Sequence, residues 1–159
     1  MAAKDVNPYI DWVRGECARA GIRFILGAED KPRSPVYGTF DHEARKLTVC
    51  AGDAHWLLTL AHEVGHLRQW VERPQFYTSE TADLGTFDNW VAGKTKRGLT
   101  AVRLRKIVRA IQRLELDAER RAVHIIREWN LTDHVDKYIQ NANGYVWRYE
   151  VARRLRKWV

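Results

Sequence analysis

The sequence predicts an α+β domain that is mainly helical, with a small antiparallel or mixed sheet packed on two long helices. Three observations predict it. An H-E-x-x-H motif, His62-Glu63-Val64-Gly65-His66, sits inside the apolar-patterned segment from Ala54 to Val71. A second segment, Thr100 to Trp129, carries an apolar stripe at helical spacing with a carboxylate, Glu115, near its middle. Three short β-rich runs, Ile22–Gly27, Val36–Asp41 and Lys46–Cys50, precede the motif.

From the N-terminus, Asn7-Pro8 opens an amphipathic helix to about Ala20, with Tyr9, Trp12, Val13 and Cys17 spaced for one face. The runs at 36–41 and 46–50 flank His42-Glu43-Ala44-Arg45 and read as a hairpin. Gly52-Asp53 marks the start of the motif helix, with Asp53 as N-cap. Arg73-Pro74 and Gly93 act as breaks around a helix from Ser79 to Ala92. Thr100 is the expected N-cap of the long helix, and Asn130 follows its last patterned residue. Thr132-Asp133 caps a short helix to Gln140, Asn141-Ala142-Asn143-Gly144 reads as a turn, and Tyr145–Val159 forms a terminal amphipathic helix. Val146, Tyr149, Val151 and Leu155 are its packing residues. Residues 1–159 are read as one domain, with 131–159 as a helical C-terminal extension.

The motif carries the chemistry. Residues four apart on a helix share a face, so His62 and His66 can offer two imidazoles to one metal ion. Glu63 follows the first histidine and would stand beside the metal, placed to take a proton from a water there. Leu57, Leu58, Leu60, Ala61, Val64 and Leu67 surround the motif with apolar surface. A buried helix keeps polar groups only with partners, because unpaired ones cost several kcal/mol. Gly65 is poor for helix propensity. Its missing side chain lets another element approach between the two histidines, or else it is simply tolerated.

A catalytic zinc site needs three protein ligands and one open position. Stepping about 100° per residue places Glu115 at the centre of the stripe, with Ile111, Ala118 and Ala122 around it. Metal ligation would explain a carboxylate there; pairing with one of the many arginines is the alternative. Glu119 lies about 40° away, one turn on, suited to hold a ligand histidine by its second nitrogen. Asp117 points to the solvated side.

H-E-x-x-H on one helix, followed by Glu115, Ala118, Glu119 and Ala122 on a later one, resembles the gluzincin group of zinc metallopeptidases. The chain is most similar to their small single-domain members, including domains of the ImmA/IrrE type linked to phages and mobile elements. The resemblance covers roughly residues 36 to 126. It implies a zincin-like fold, one Zn²⁺ per chain held by His62, His66 and Glu115, Glu63 as general base, and hydrolysis of a peptide or protein substrate. Many relatives have Asp or Asn where this chain has Glu119, which leaves the roles of Glu115 and Glu119 exchangeable. The resemblance also makes the strand Val36, Tyr37, Gly38, Thr39, Phe40 a candidate edge for substrate, although an ordinary core hairpin fits the same residues. The donor for the developing oxyanion would be a Tyr, His or Arg. Tyr145 and Tyr138 are the candidates carried forward, with Tyr149 and His124 also in view. His124 falls about 180° from Glu115 on the far side of its helix. His55 shares the face of His62 and could line a pocket, with a half-buried structural role as the simpler reading.

The chain has a net charge of +7. Lys94, Lys96, Arg97, the cations Arg103, Arg105, Lys106, Arg109 and Arg113, and an arginine-rich C-terminus with Trp147 and Trp158 make nucleic acid a conceivable partner. Solvated helix faces account for the same pattern, and no nucleic-acid-binding signature accompanies it. A binding protein that keeps the scaffold without catalysis is the rival function; the retained Glu63 argues against it. With 45% hydrophobic residues the domain can build its own core, so Cys17 and Cys50 read as small buried apolar residues. No signal peptide or membrane span is read from the sequence, and a cytoplasmic location in a bacterial cell or phage-infected host is expected.

Overall fold

The computed structural model describes residues 6–27, 37–95 and 99–158, without the side chain of Glu80. The elements run α1 (Asn7–Arg19), β1 (Arg23–Gly27), β2 (Gly38–Asp41), β3 (Lys46–Cys50), α2 (Trp56–Glu72), α3 (Pro74–Val91), α4 (Ala101–Glu128) and α5 (Val135–Leu155). The fold is α+β and mainly helical, with a three-stranded mixed sheet. Residues Val36, Lys96 and Arg97 lie outside the described residues.

Strand order is β1-β3-β2, with β1 parallel and β2 antiparallel to the central β3. Leu47 and Val49 of β3 are fully buried, and the alternation along the strand sends them to one face. They join Val13, Leu60, Val64, Leu67, Leu114 and Ile125 in a core shared by α1, the sheet, α2 and the C-terminal half of α4. A second cluster, with Phe87, Leu104, Ile107, Ile111, Tyr149 and Ala152, joins the N-terminal half of α4 to α3 and α5. The 28-residue α4 is therefore the spine that ties both cores together. Its start is as expected, with the Thr100 hydroxyl accepting the Arg103 N–H at 3.2 Å. Cys17 and Cys50 are both buried.

Five local expectations are corrected. Helix α2 begins at Trp56 with His55 at its N-cap, and Asp53 stands ahead of it. The Asp53 carboxylate accepts the His55 N–H and its carbonyl accepts the Trp56 N–H, so Asp53 closes a turn instead of capping the helix. Helix α3 starts at Pro74, five residues before Ser79, because a proline that ends one helix is well suited to the first turn of the next. Thr132 is spent on the His134 N–H just outside α5, which starts at Val135 without a side-chain cap. The expected turn at Asn141–Gly144 is helical and α5 is continuous. Ala142, Val146, Tyr149 and Ala152 are buried at helical spacing, and this packing overrides the weak local propensity. Val151 and Leu155, expected to pack, are exposed on the opposite face.

Candidate metal centre

The site forms where α2 crosses α4. A Cβ on Gly65 would lie 2.6 Å from the Ala118 carbonyl oxygen and 3.3 Å from the Ala118 Cα. Glycine at that point allows the two backbones into contact. The crossing sets Glu115, one turn before Ala118, against the face of α2 that bears His62 and His66.

Three donor atoms converge there. His62 Nε2 and His66 Nε2 are 3.0 Å apart, and Glu115 Oε2 is 3.5 Å from the first and 3.6 Å from the second. Among the described residues, these three form the group able to hold a metal ion. Ligands bound at about 2.0–2.1 Å around a tetrahedral ion stand about 3.3 Å from each other, so the observed spacings fit. Glu115 is 4% exposed, and its Oε2 is buried without a hydrogen-bond partner. A buried carboxylate oxygen without a hydrogen-bond partner, set between two imidazole nitrogens, is a donor arrangement that could hold a cation.

Each histidine is held from behind. Glu119 Oε1 approaches His62 Nδ1 at 3.2 Å, an ion-pair contact whose alignment falls short of a hydrogen bond. The Tyr138 hydroxyl donates to the other Glu119 oxygen. His66 Nδ1 lies 2.9 Å from Gln69 Oε1. The Gln69 amide in turn donates to the Leu114 carbonyl at 2.7 Å and to Asp117 at 2.9 Å. Asp117 also receives Arg121 and Arg73, and Arg121 reaches across to Glu72 with two 2.8 Å hydrogen bonds.

The charges follow from these contacts. Burial works against a charged His62 ring, but Glu119, Glu63 and Glu115 outweigh it and push its pKa up to about 9. Burial also opposes the Glu115 carboxylate, yet the neighbouring His66 and His62 hold its pKa below the ordinary range. Glu63 goes the other way. Its burial dominates and raises its pKa, with Glu115 adding to the effect, against the pull of His62, His66 and a Phe40 backbone N–H. A carboxylate so raised is a better proton acceptor.

Two clefts open on the centre and share Gly38, His62, Glu63 and Tyr145. The larger, about 960 Å³, runs past Phe40, Tyr77 and Tyr149; the smaller, about 560 Å³, runs past Thr59 and Tyr138. Strand β2 is an edge strand on both. The Tyr37 carbonyl accepts the Cys50 N–H, so by strand alternation Gly38 and Phe40 turn their backbone groups outward.

The expected residues separate by position. His62, Glu63, His66, Glu115 and Glu119 are together at the centre. Tyr145 lines both clefts, and its hydroxyl is 3.1 Å from that of Tyr149. Burial of the hydroxyl and the nearby Glu115 push the Tyr145 pKa up to about 12, so it keeps its proton. Tyr138 lines the smaller cleft with its hydroxyl committed to Glu119. His124 is exposed on the outer side of α4. His55 is an exposed wall of the smaller cleft, not the half-buried structural histidine expected, because it precedes the first turn of α2. Gln69 was not anticipated. It is fully buried on the apolar face of α2, the same anomaly that marks Glu115, and could have been found by the same logic. Arg103, Arg105, Lys106, Arg109 and Arg113 lie on the exposed side of α4. No helix among the described residues is long and apolar enough to cross a membrane.

The chain matches no protein-family description, no curated protein and no solved structure.

Proposed function

We propose that the protein is a zinc-dependent peptidase of the gluzincin type with a zincin-like fold. The observation that carries this reading is the orphaned Glu115 Oε2, buried between His62 Nε2 and His66 Nε2 at the spacing of metal ligands. Two imidazoles and one carboxylate are a donor set that suits zinc and leaves a fourth position open. Zinc held there supplies a Lewis acid and lowers the pKa of a coordinated water.

The chain's own residues do the rest. Glu63 accepts the proton as water attacks the scissile carbonyl and returns it to the departing amine. Its raised pKa favours the first of these transfers. The Phe40 N–H fixes the carboxylate in place. Tyr145, protonated at neutral pH and facing both clefts, is the donor for the developing oxyanion. The outward backbone groups of Gly38 and the Phe40 carbonyl offer an extended peptide a strand to pair with, which gives affinity with little demand on sequence.

The test is metal content of protein purified without added zinc, with cleavage of a mixed-sequence peptide library. About one zinc in the wild type and in Glu63→Gln, loss of zinc in Glu115→Ala, and cleavage by the wild type alone would support the reading. A folded wild type that takes up no zinc would overturn it.

A further inference from the structure

Gln69 stands outside the motif and touches no cleft, yet it is fully buried and makes three polar contacts. Its amide can sit only one way. The NH₂ group has two N–H donors, and both have acceptors: the Leu114 carbonyl at 2.7 Å and Asp117 Oδ2 at 2.9 Å. Reversing the amide would set its oxygen against two acceptors. Oε1 therefore faces His66 Nδ1, and an amide oxygen accepts hydrogen bonds and donates none. His66 must carry a proton on Nδ1.

We propose that Gln69 is a positioning residue that selects the Nδ1–H tautomer of His66 and turns its Nε2 lone pair toward Glu115 and His62. It rests on the zinc reading of the site. The same amide grips the carbonyl of Leu114, the residue before Glu115, so one side chain orients a ligand on α2 and fixes the backbone that carries the ligand on α4. Asp117 is the anchor of the amide and is itself held by Arg121 and Arg73. His62 is supported differently, by the Glu119 carboxylate. The two imidazoles thus have one charged and one neutral support.

The experiment is long-range ¹H–¹⁵N correlation NMR of the histidine rings in the metal-free protein, with zinc affinity measured by chelator competition. The wild type is expected to show His66 as Nδ1–H. Gln69→Leu is expected to give mixed tautomers and a ten- to hundredfold weaker zinc affinity. Gln69→Glu keeps an acceptor for Nδ1 but sets an oxygen against Leu114 and Asp117, so it should keep the tautomer and still lose affinity. An Nε2–H tautomer in the wild type overturns the proposal, as does a Gln69→Leu variant equal to wild type in both readouts. Should Gln69→Leu fail to fold, the wild-type tautomer and the Gln69→Glu affinity decide. A wild type with the Nδ1–H tautomer but no zinc uptake or no peptide cleavage would count against the peptidase reading, not against the role of Gln69 in orienting His66.

Discussion

Gly65→Ala should loosen the metal centre without touching a ligand. The new Cβ would stand 2.6 Å from the Ala118 carbonyl oxygen, where ordinary contact begins near 3.4 Å. The obstacle is backbone, so relief requires α2 and α4 to part by roughly 0.8 Å, taken as the difference between these two distances. Zinc sites tolerate ligand distances within about 0.2 Å of ideal. Glu115 sits on one helix and both histidines on the other, so the separation falls directly on the ligand set. Affinity should drop at least ten- to hundredfold, the loss typical when only a ligand's support is removed. Stability is a contest between two terms. Alanine gains about 0.8–1.0 kcal/mol in helix propensity over glycine. Overpacking costs about 1–3 kcal/mol. The net loss should be about 1 kcal/mol, or about 2–4 °C in melting temperature for a domain of this size. Chelator competition measures the first quantity, and thermal melts in chelator measure the second free of any metal effect. A Gly65→Ala protein that binds zinc like the wild type, or melts higher when metal-free, would refute the reasoning.

Other variants separate the parts of the site. Gly38→Ala would place a Cβ 2.5 Å from Thr59 Cγ2 and 3.0 Å from the Glu63 side chain, so zinc content should hold while peptide cleavage is lost. Tyr145→Phe should lower kcat by about 10²–10³-fold with KM and zinc affinity little changed, the pattern for loss of an oxyanion donor. Tyr138→Phe removes the hydroxyl that holds Glu119 and should weaken zinc binding by about tenfold, measured by chelator competition, with the fold intact by circular dichroism. Glu150 accepts hydrogen bonds from Arg153 and then Arg154, which hold its pKa at about 2, below its ordinary 4.5. A depressed carboxylate stabilises the fold above its unfolded pKa and loses that contribution as pH falls through its folded pKa. Glu150→Gln should therefore melt below the wild type at pH 7 and converge with it as the pH is lowered from 4.5 to 2.

Much of the site was legible because burial and polarity conflict in the sequence. His62 and His66 share one helical face, and Glu115 stands alone in an apolar stripe. Both anomalies depend only on helical periodicity, which survives into the fold. Gln69 was open to the same argument, but a neutral amide on a helix face draws less notice than a carboxylate. The three strands were legible from β-rich runs, whereas the parallel pairing of β1 with β3 was not, because the partner of a strand is set by tertiary contacts, here of β1 with β3 and α1, and not by its own residues. The continuity of α5 was hidden by Asn141, Asn143 and Gly144. Their weak propensity is outweighed by the burial of Ala142, Val146, Tyr149 and Ala152 on the face of a helix that packs on α4.

The ligands of the centre come from α2 and α4, which are separated in the chain by the whole of α3. Bringing them together closes a long loop, an entropic charge that falls on folding before any ion can bind. An ion that recognises only the closed form then acts as a removable crosslink and stabilises it by about 2.7 kcal/mol at a free concentration one hundred times its dissociation constant. The nascent chain has no complete set of donors until α4 has emerged and docked. On the zinc reading, metal uptake would report the docking of α4 on α2.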